Sequence, residues 1–116
     1  MKSLFCLLLL FVMLLFYGCG TSQLMTNSLK IVSGKSKNEV ISILGYPGNR
    51  HLKGNNEAWQ YCQTRILASD DFMVVWFYNG VVTGTTTYKN KFSGSCKDFY
   101  WTIHWGDAPD RTIETQ

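Results

Sequence analysis

The chain has no run of like charge, no glycine spacing suited to a phosphate-binding loop, and no closely spaced pair of histidines. Each absence removes a class of function. Eleven Lys and Arg against eight Asp and Glu, scattered along 116 residues, leave a formal charge of only +3. A balance that mild gives nucleic acid no electrostatic footprint and supports at most a weak attraction to anionic lipid headgroups. The glycines match none of the patterns that cradle phosphates. His51 and His104 are the only histidines, and their separation is poor metal-ligand spacing. No segment repeats another, and nothing marks a second domain. The apolar run from Leu4 to Tyr17 falls short of the ~20 residues that a membrane-spanning helix needs.

What is present begins with that run. Lys2 precedes it, and Gly18-Cys19 ends it. A positive start, a short hydrophobic stretch, a small residue and a cysteine are the order of a bacterial lipoprotein export signal. Residues 1–18 are therefore expected to be removed. Cys19 would carry the thioether-linked diacylglycerol and the further acyl (palmitate) chain of a lipid anchor. An ordinary secretory signal cut nearby, or an uncleaved N-terminal anchor, are the alternatives. All three put the remainder outside the cytoplasm. Gly20, where an Asp would favour retention at the inner membrane, favours the outer membrane, with the domain facing the periplasm.

Removing residues 1–18 leaves 98, enough for one modest core. Residues 19–28 are small and polar and read as a flexible tether, leaving a single domain over residues 29–116. Cys62 and Cys96 then remain as a pair, and in an oxidising compartment they are expected to form a disulfide. Closing that loop would stabilise the fold by about 4 kcal/mol in the chain-entropy description. Two buried thiols, or a reactive cysteine, are the other readings.

Ser36-Lys37-Asn38-Glu39 has the form of a capping box, and Val40, Ile43 and Leu44 fall on one face of the helix that follows. Gly45 and Pro47 end it near residue 44. A further turn is expected near Leu29–Val32. Residues 57–66 alternate around Trp59 and Tyr61. Phe72–Tyr78 is apolar on both faces, as a central strand should be. Asn79-Gly80 is a strong hairpin turn, and Val81–Tyr88 follows with Val81, Thr83, Thr85 and Thr87 expected on one face. Ser69-Asp70-Asp71 reads as the turn between the first two strands. The predicted fold is α+β: one or two short N-terminal helices on a three-stranded antiparallel meander. Phe99, Trp101, Ile103 and Trp105 alternate in an extended C-terminal segment, a candidate fourth strand, and the chain from Gly106 reads as an increasingly frayed tail.

No motif for nucleophilic catalysis surrounds either cysteine, and the aspartates at 70 and 71 are explained by a turn. The chain reads as a non-enzyme without a cofactor, a metal or a small-molecule substrate. Trp59 and Trp76 are expected to fill the core between helix and sheet. Trp101 and Trp105 on the added segment are candidate partner-binding residues, with Asn49 and Arg50 on the loop after the helix, because aromatics and Arg concentrate in interface hot spots. A bare edge at 57–66 or 81–88 could also accept a partner strand.

The order Gly34-Lys35-Ser36, Glu39-Val40, Leu44-Gly45-Tyr46-Pro47, Trp59-Gln60-Tyr61 and Phe77-Tyr78-Asn79-Gly80-Val81-Val82 resembles the SmpA/OmlA (BamE-like) lipoproteins. That family includes the small subunit of the outer-membrane β-barrel assembly machine. The resemblance covers residues 29–88, and Cys62/Cys96 as a pair and Phe99–Glu114 have no counterpart in it. It implies helices packed on an antiparallel sheet, and a lipid-anchored module that binds envelope proteins such as β-barrel assembly components. A periplasmic inhibitor or immunity-type protein, capping an envelope enzyme with its loops at 45–57 and 89–98, is the second expectation.

Overall fold

The computed structural model describes residues 1–15, 23–65, 68–90 and 96–110. Three helices, α1 (Lys2–Leu15), α2 (Gln23–Ser28) and α3 (Lys37–Leu44), precede four strands: β1 (Asn49–Lys53), β2 (Asn56–Gln63), β3 (Asp71–Tyr78) and β4 (Val81–Lys89). The strands form one antiparallel sheet in the order β1-β2-β3-β4. The class is α+β.

Helix α1 is apolar from Leu4 onward, with the side chains from Leu4 to Met13 exposed, and no described helix is long and apolar enough to cross a membrane. Among the described residues, Leu24 is the first that is buried. There the tether expectation gives way, because Gln23–Ser28 is helical. Six residues cannot hold a helix in water. This one is docked through the buried Leu24 side chain and through the Leu24 N–H, which donates to Gln63 Oε1 at 2.6 Å.

Helix α3 starts as expected: Ser36 Oγ accepts from the Glu39 amide at 3.2 Å. Glu39 does not reach back to complete the box; its carboxylate pairs instead with Lys35 at 3.3 Å. Val40 is fully buried, with Ile41, Ile43 and Leu44 packed around the same cluster.

The expected three strands are β2, β3 and β4. The fourth is β1, a hairpin partner of β2, and the described residues 96–110 contribute no strand. The stretch His51–Asn56 is accordingly a hairpin, with Gly54 supplying the positive φ of its turn. At the other hairpin Asn79 (φ 50°) and Gly80 (φ 81°) both adopt the left-handed conformation that a tight type I′ turn requires. Strand β2 is therefore internal. One end of the β4 edge is already taken, since Val82 exchanges backbone hydrogen bonds with Gly34 and Lys35.

Strand β3 is buried on both sides, as its unbroken apolar run implies. Trp59, Tyr61, Met73, Val75, Phe77 and Val82 face the helices. Ala58, Phe72, Val74, Trp76 and Tyr88 face the other way. Trp76 thus lies on the side away from the helices, contrary to the expected helix-to-sheet position. The register shifts between Trp76 and Phe77, with Trp76 opposite Gly84 and Phe77 opposite Val82. The extra residue, Thr83, is a bulge. It puts Val82 and Tyr88 on opposite faces, and for the same reason Val81 does not share a face with Thr85 and Thr87.

Candidate functional site

The face away from the helices is the most elaborated part of the molecule. Cys62 on β2 is bonded to Cys96, with Cα atoms 5.7 Å apart. Cys96 opens a 3₁₀ turn (Cys96–Asp98), and the chain then crosses the sheet as a strap to a second 3₁₀ turn (Trp105–Asp107). Tyr100, Ile103, Trp105 and Ala108 pack on the buried cluster beneath. The strap covers a face of the sheet, not an edge.

Its centre is polar. Gln60 is fully buried, and every hydrogen-bonding group of its amide is used. Nε2 donates to the Trp101 carbonyl at 2.8 Å and to Asn49 Oδ1 at 3.1 Å, while Oε1 accepts from the Tyr88 hydroxyl at 2.6 Å. The Trp101 amide donates back to the Tyr88 hydroxyl at 2.9 Å. Gln60 and Tyr88 together therefore hold both backbone groups of Trp101. Burial pushes the Tyr88 phenol up to about 12, against the lowering effect of the Trp101 amide, and nearby Tyr100 adds to the rise.

Aromatic rings complete the clamp. Phe72, Tyr88 and Trp101 form a stack, with centroids 4.7 and 4.0 Å apart and planes within 15° and 10°. Tyr100 meets Phe72 edge-on at 5.7 Å, and Trp105 meets Trp76 edge-on at 6.2 Å. Gly48 lies directly beneath the Tyr100 hydroxyl, where a Cβ would collide. Trp101 keeps 47 % of its surface exposed, an aromatic plate fixed from below.

Of the candidate partner-binding residues, Asn49, Trp101 and Trp105 belong to this face. Arg50 lies on the helix side. There it donates to Glu57 Oε1 from Nη2 at 2.6 Å, and sits 5.7 Å above the Trp59 ring. Glu57 is 3 % exposed and also receives Trp59 Nε1 at 2.7 Å and the Lys37 ammonium. Burial pushes its carboxyl up, but the donors from Lys37, Trp59 and Arg50 outweigh that, so it ionises below its usual range. Arg50 is thus a structural cation more than a free contact.

The aspartates at the start of β3, Asp70 just before it and Asp71 its first residue, are not simple turn residues. Asp70 and Asp71 are both buried. Asn90 Nδ2 donates to Asp70 at 3.2 Å, and Lys89 and Arg65 pair with Asp71 at 3.4 and 4.0 Å. Asp70 also lies within 4.8 Å of both disulfide sulfurs, the one cluster of metal-ligating residue types among the described residues. Two of its three ligand atoms are tied up in a sulfur–sulfur bond. His104 is exposed, and neither it nor His51 joins that cluster. The disulfide leaves neither Cys62 nor Cys96 as a free thiol.

Cys19 lies outside the described residues. So does the end of the tail, from residue 111. No family model, curated protein or solved structure matches this chain.

Proposed function

We propose that the protein is an outer-membrane lipoprotein, acylated at Cys19 and facing the periplasm, that acts as a non-catalytic binding or scaffold module for envelope proteins. The observation that carries this reading is a division of the chain. A 14-residue helix, apolar from Leu4 and exposed from Leu4 to Met13, precedes Gly18-Cys19 in the sequence, and every buried residue among those described follows it, in a unit stapled by Cys62–Cys96. A stable disulfide in so small a domain suits an oxidising compartment. The residue order shared with the SmpA/OmlA lipoproteins supports membership of that family and a role near outer-membrane protein assembly. Confinement by acyl chains would raise the domain's effective concentration for membrane-bound partners.

The test is metabolic labelling with an alkyne palmitate, followed by envelope fractionation. Label in the parent and none in Cys19→Ala is expected. An unlabelled chain in the cytosol with its leader attached would overturn the reading. For the binding role, crosslinked envelopes should yield proteins enriched over an unrelated lipoprotein.

A further inference from the structure

Between α2 and α3 the chain makes a turn whose apolar residues divide sharply. Ile31 is 5 % exposed and sits in the helix-side core, whereas Leu29 and Val32 on either side are 82 % and 55 % exposed. Lys30, between them, is exposed and makes no ion pair among the described residues. The turn is rigidly held. The Lys30 and Ile31 amides donate to the carbonyls of Asn27 and Ser28 at 3.0 and 3.1 Å, Gly34 and Lys35 bond to Val82, and Ser33 Oγ donates to the Thr83 carbonyl at 3.0 Å. Two apolar side chains are thus kept in water by a scaffold that gives them no way inward.

Their position in the chain says what would cover them. Cys19 precedes α2 by four residues, a span of at most about 14 Å, and α2 itself is about 9 Å long. Leu29 therefore stays within reach of any bilayer that holds Cys19. Charge points the same way. Residues 19–65 carry six Lys and Arg against two Asp and Glu, whereas residues 66–116 carry four against six. The cation excess thus lies in the part of the sequence that follows Cys19, where Lys30 makes no ion pair among the described residues while Lys35, Lys37, Arg50 and Arg65 do.

We infer that the Leu29–Val32 turn is a bilayer-contact element. Leu29 and Val32 enter the headgroup–acyl boundary, Lys30 engages anionic lipid phosphates, and the domain is thereby oriented on its leash. The inference rests on the anchor reading but is measured apart from it. Because Leu24 is the first buried residue among those described, residues 19–116 contain the whole described core, so this part can be secreted acyl-free as Cys19→Ser with its disulfide intact.

The experiment is co-sedimentation of that form with phosphatidylcholine vesicles, with or without about one-third phosphatidylglycerol. Salt-sensitive binding to the anionic vesicles is expected, with about a tenfold loss in Leu29→Gln/Val32→Gln. The Lys30→Gln variant should lose several-fold and show a weaker salt dependence. Both variants alter exposed side chains, so their melting temperatures should match the parent's, which separates lost contact from lost fold. Parent protein that stays in the supernatant, or a double variant that binds like the parent, would overturn the inference. So would a photocrosslinker at position 29 that captures protein instead of lipid in cells. Failed palmitate labelling with intact vesicle binding would remove the anchor and leave the contact standing.

Discussion

Replacing Gln60 with Leu should destabilise the domain more than its modest change in volume suggests. The substitution deletes the donor to the Trp101 carbonyl and the acceptor of the Tyr88 hydroxyl, both on a covered face. Each orphaned group costs about 1–3 kcal/mol, while half-buried Asn49 can turn to water. The expected loss is about 2–5 kcal/mol, a large share of the roughly 5–15 kcal/mol that holds a typical domain together. Urea unfolding of the acyl-free domain, followed by tryptophan fluorescence, would show a midpoint lower by more than about 1 M. Tyr88→Phe breaks the same ring of bonds from the other side. The double variant should therefore cost less than the two singles together, by at least about 1 kcal/mol. A Gln60→Leu loss under about 1 kcal/mol, or strict additivity with Tyr88→Phe, would refute the view that these two residues clamp Trp101 jointly.

Glu57→Gln should lower stability at neutral pH by about 1–3 kcal/mol, less than a fully buried pair because Lys37 and Arg50 are half exposed. Since the Glu57 carboxyl ionises below its usual range, its contribution is complete above the unfolded value and is lost as pH falls through the folded one. Acid titration of stability should accordingly be flatter in the variant. At the alkaline end, burial raises the phenols of Tyr61 and Tyr88, so the unfolded chain ionises first. Stability should drop as pH climbs from about 10, and the parent should lose more of it than Tyr88→Phe. Cys62→Ser/Cys96→Ser should cost about 4 kcal/mol in a thermal or urea melt; an unchanged midpoint would mean that the strap is held by its non-covalent contacts alone.

The sequence was most legible where one residue type answers one geometric demand. Asn79-Gly80, the serine cap of α3 and the doubly apolar β3 each state their structure locally. Strand β1 was hidden because Asn-Arg-His-Leu-Lys has no buried face to impose a period of two, and its pairing comes from β2. Helix α2 was hidden because a single buried Leu and a distant glutamine amide hold it, neither of which alters a polar composition. The bulge at Thr83 defeated the alternation expected of β4, since one added residue exchanges the two faces of all that follows. At the candidate site the disulfide could be read by elimination, whereas the Gln60 clamp could not. The nearest signal was an amide set between Trp59 and Tyr61, but the same strand also carries Asn56, Glu57 and Gln63, so nothing singled Gln60 out. The burial of Asp70 and Asp71 was masked by how well aspartate suits a turn.

The strap also sets a timetable. A sheet whose second side is covered, among the described residues, by the strap from Tyr100 to Pro109 stays half bare while the preceding chain is made, and its fastening waits for an oxidant. On the export reading proposed above, such a delay would leave the apolar face open until the strap had also crossed the membrane.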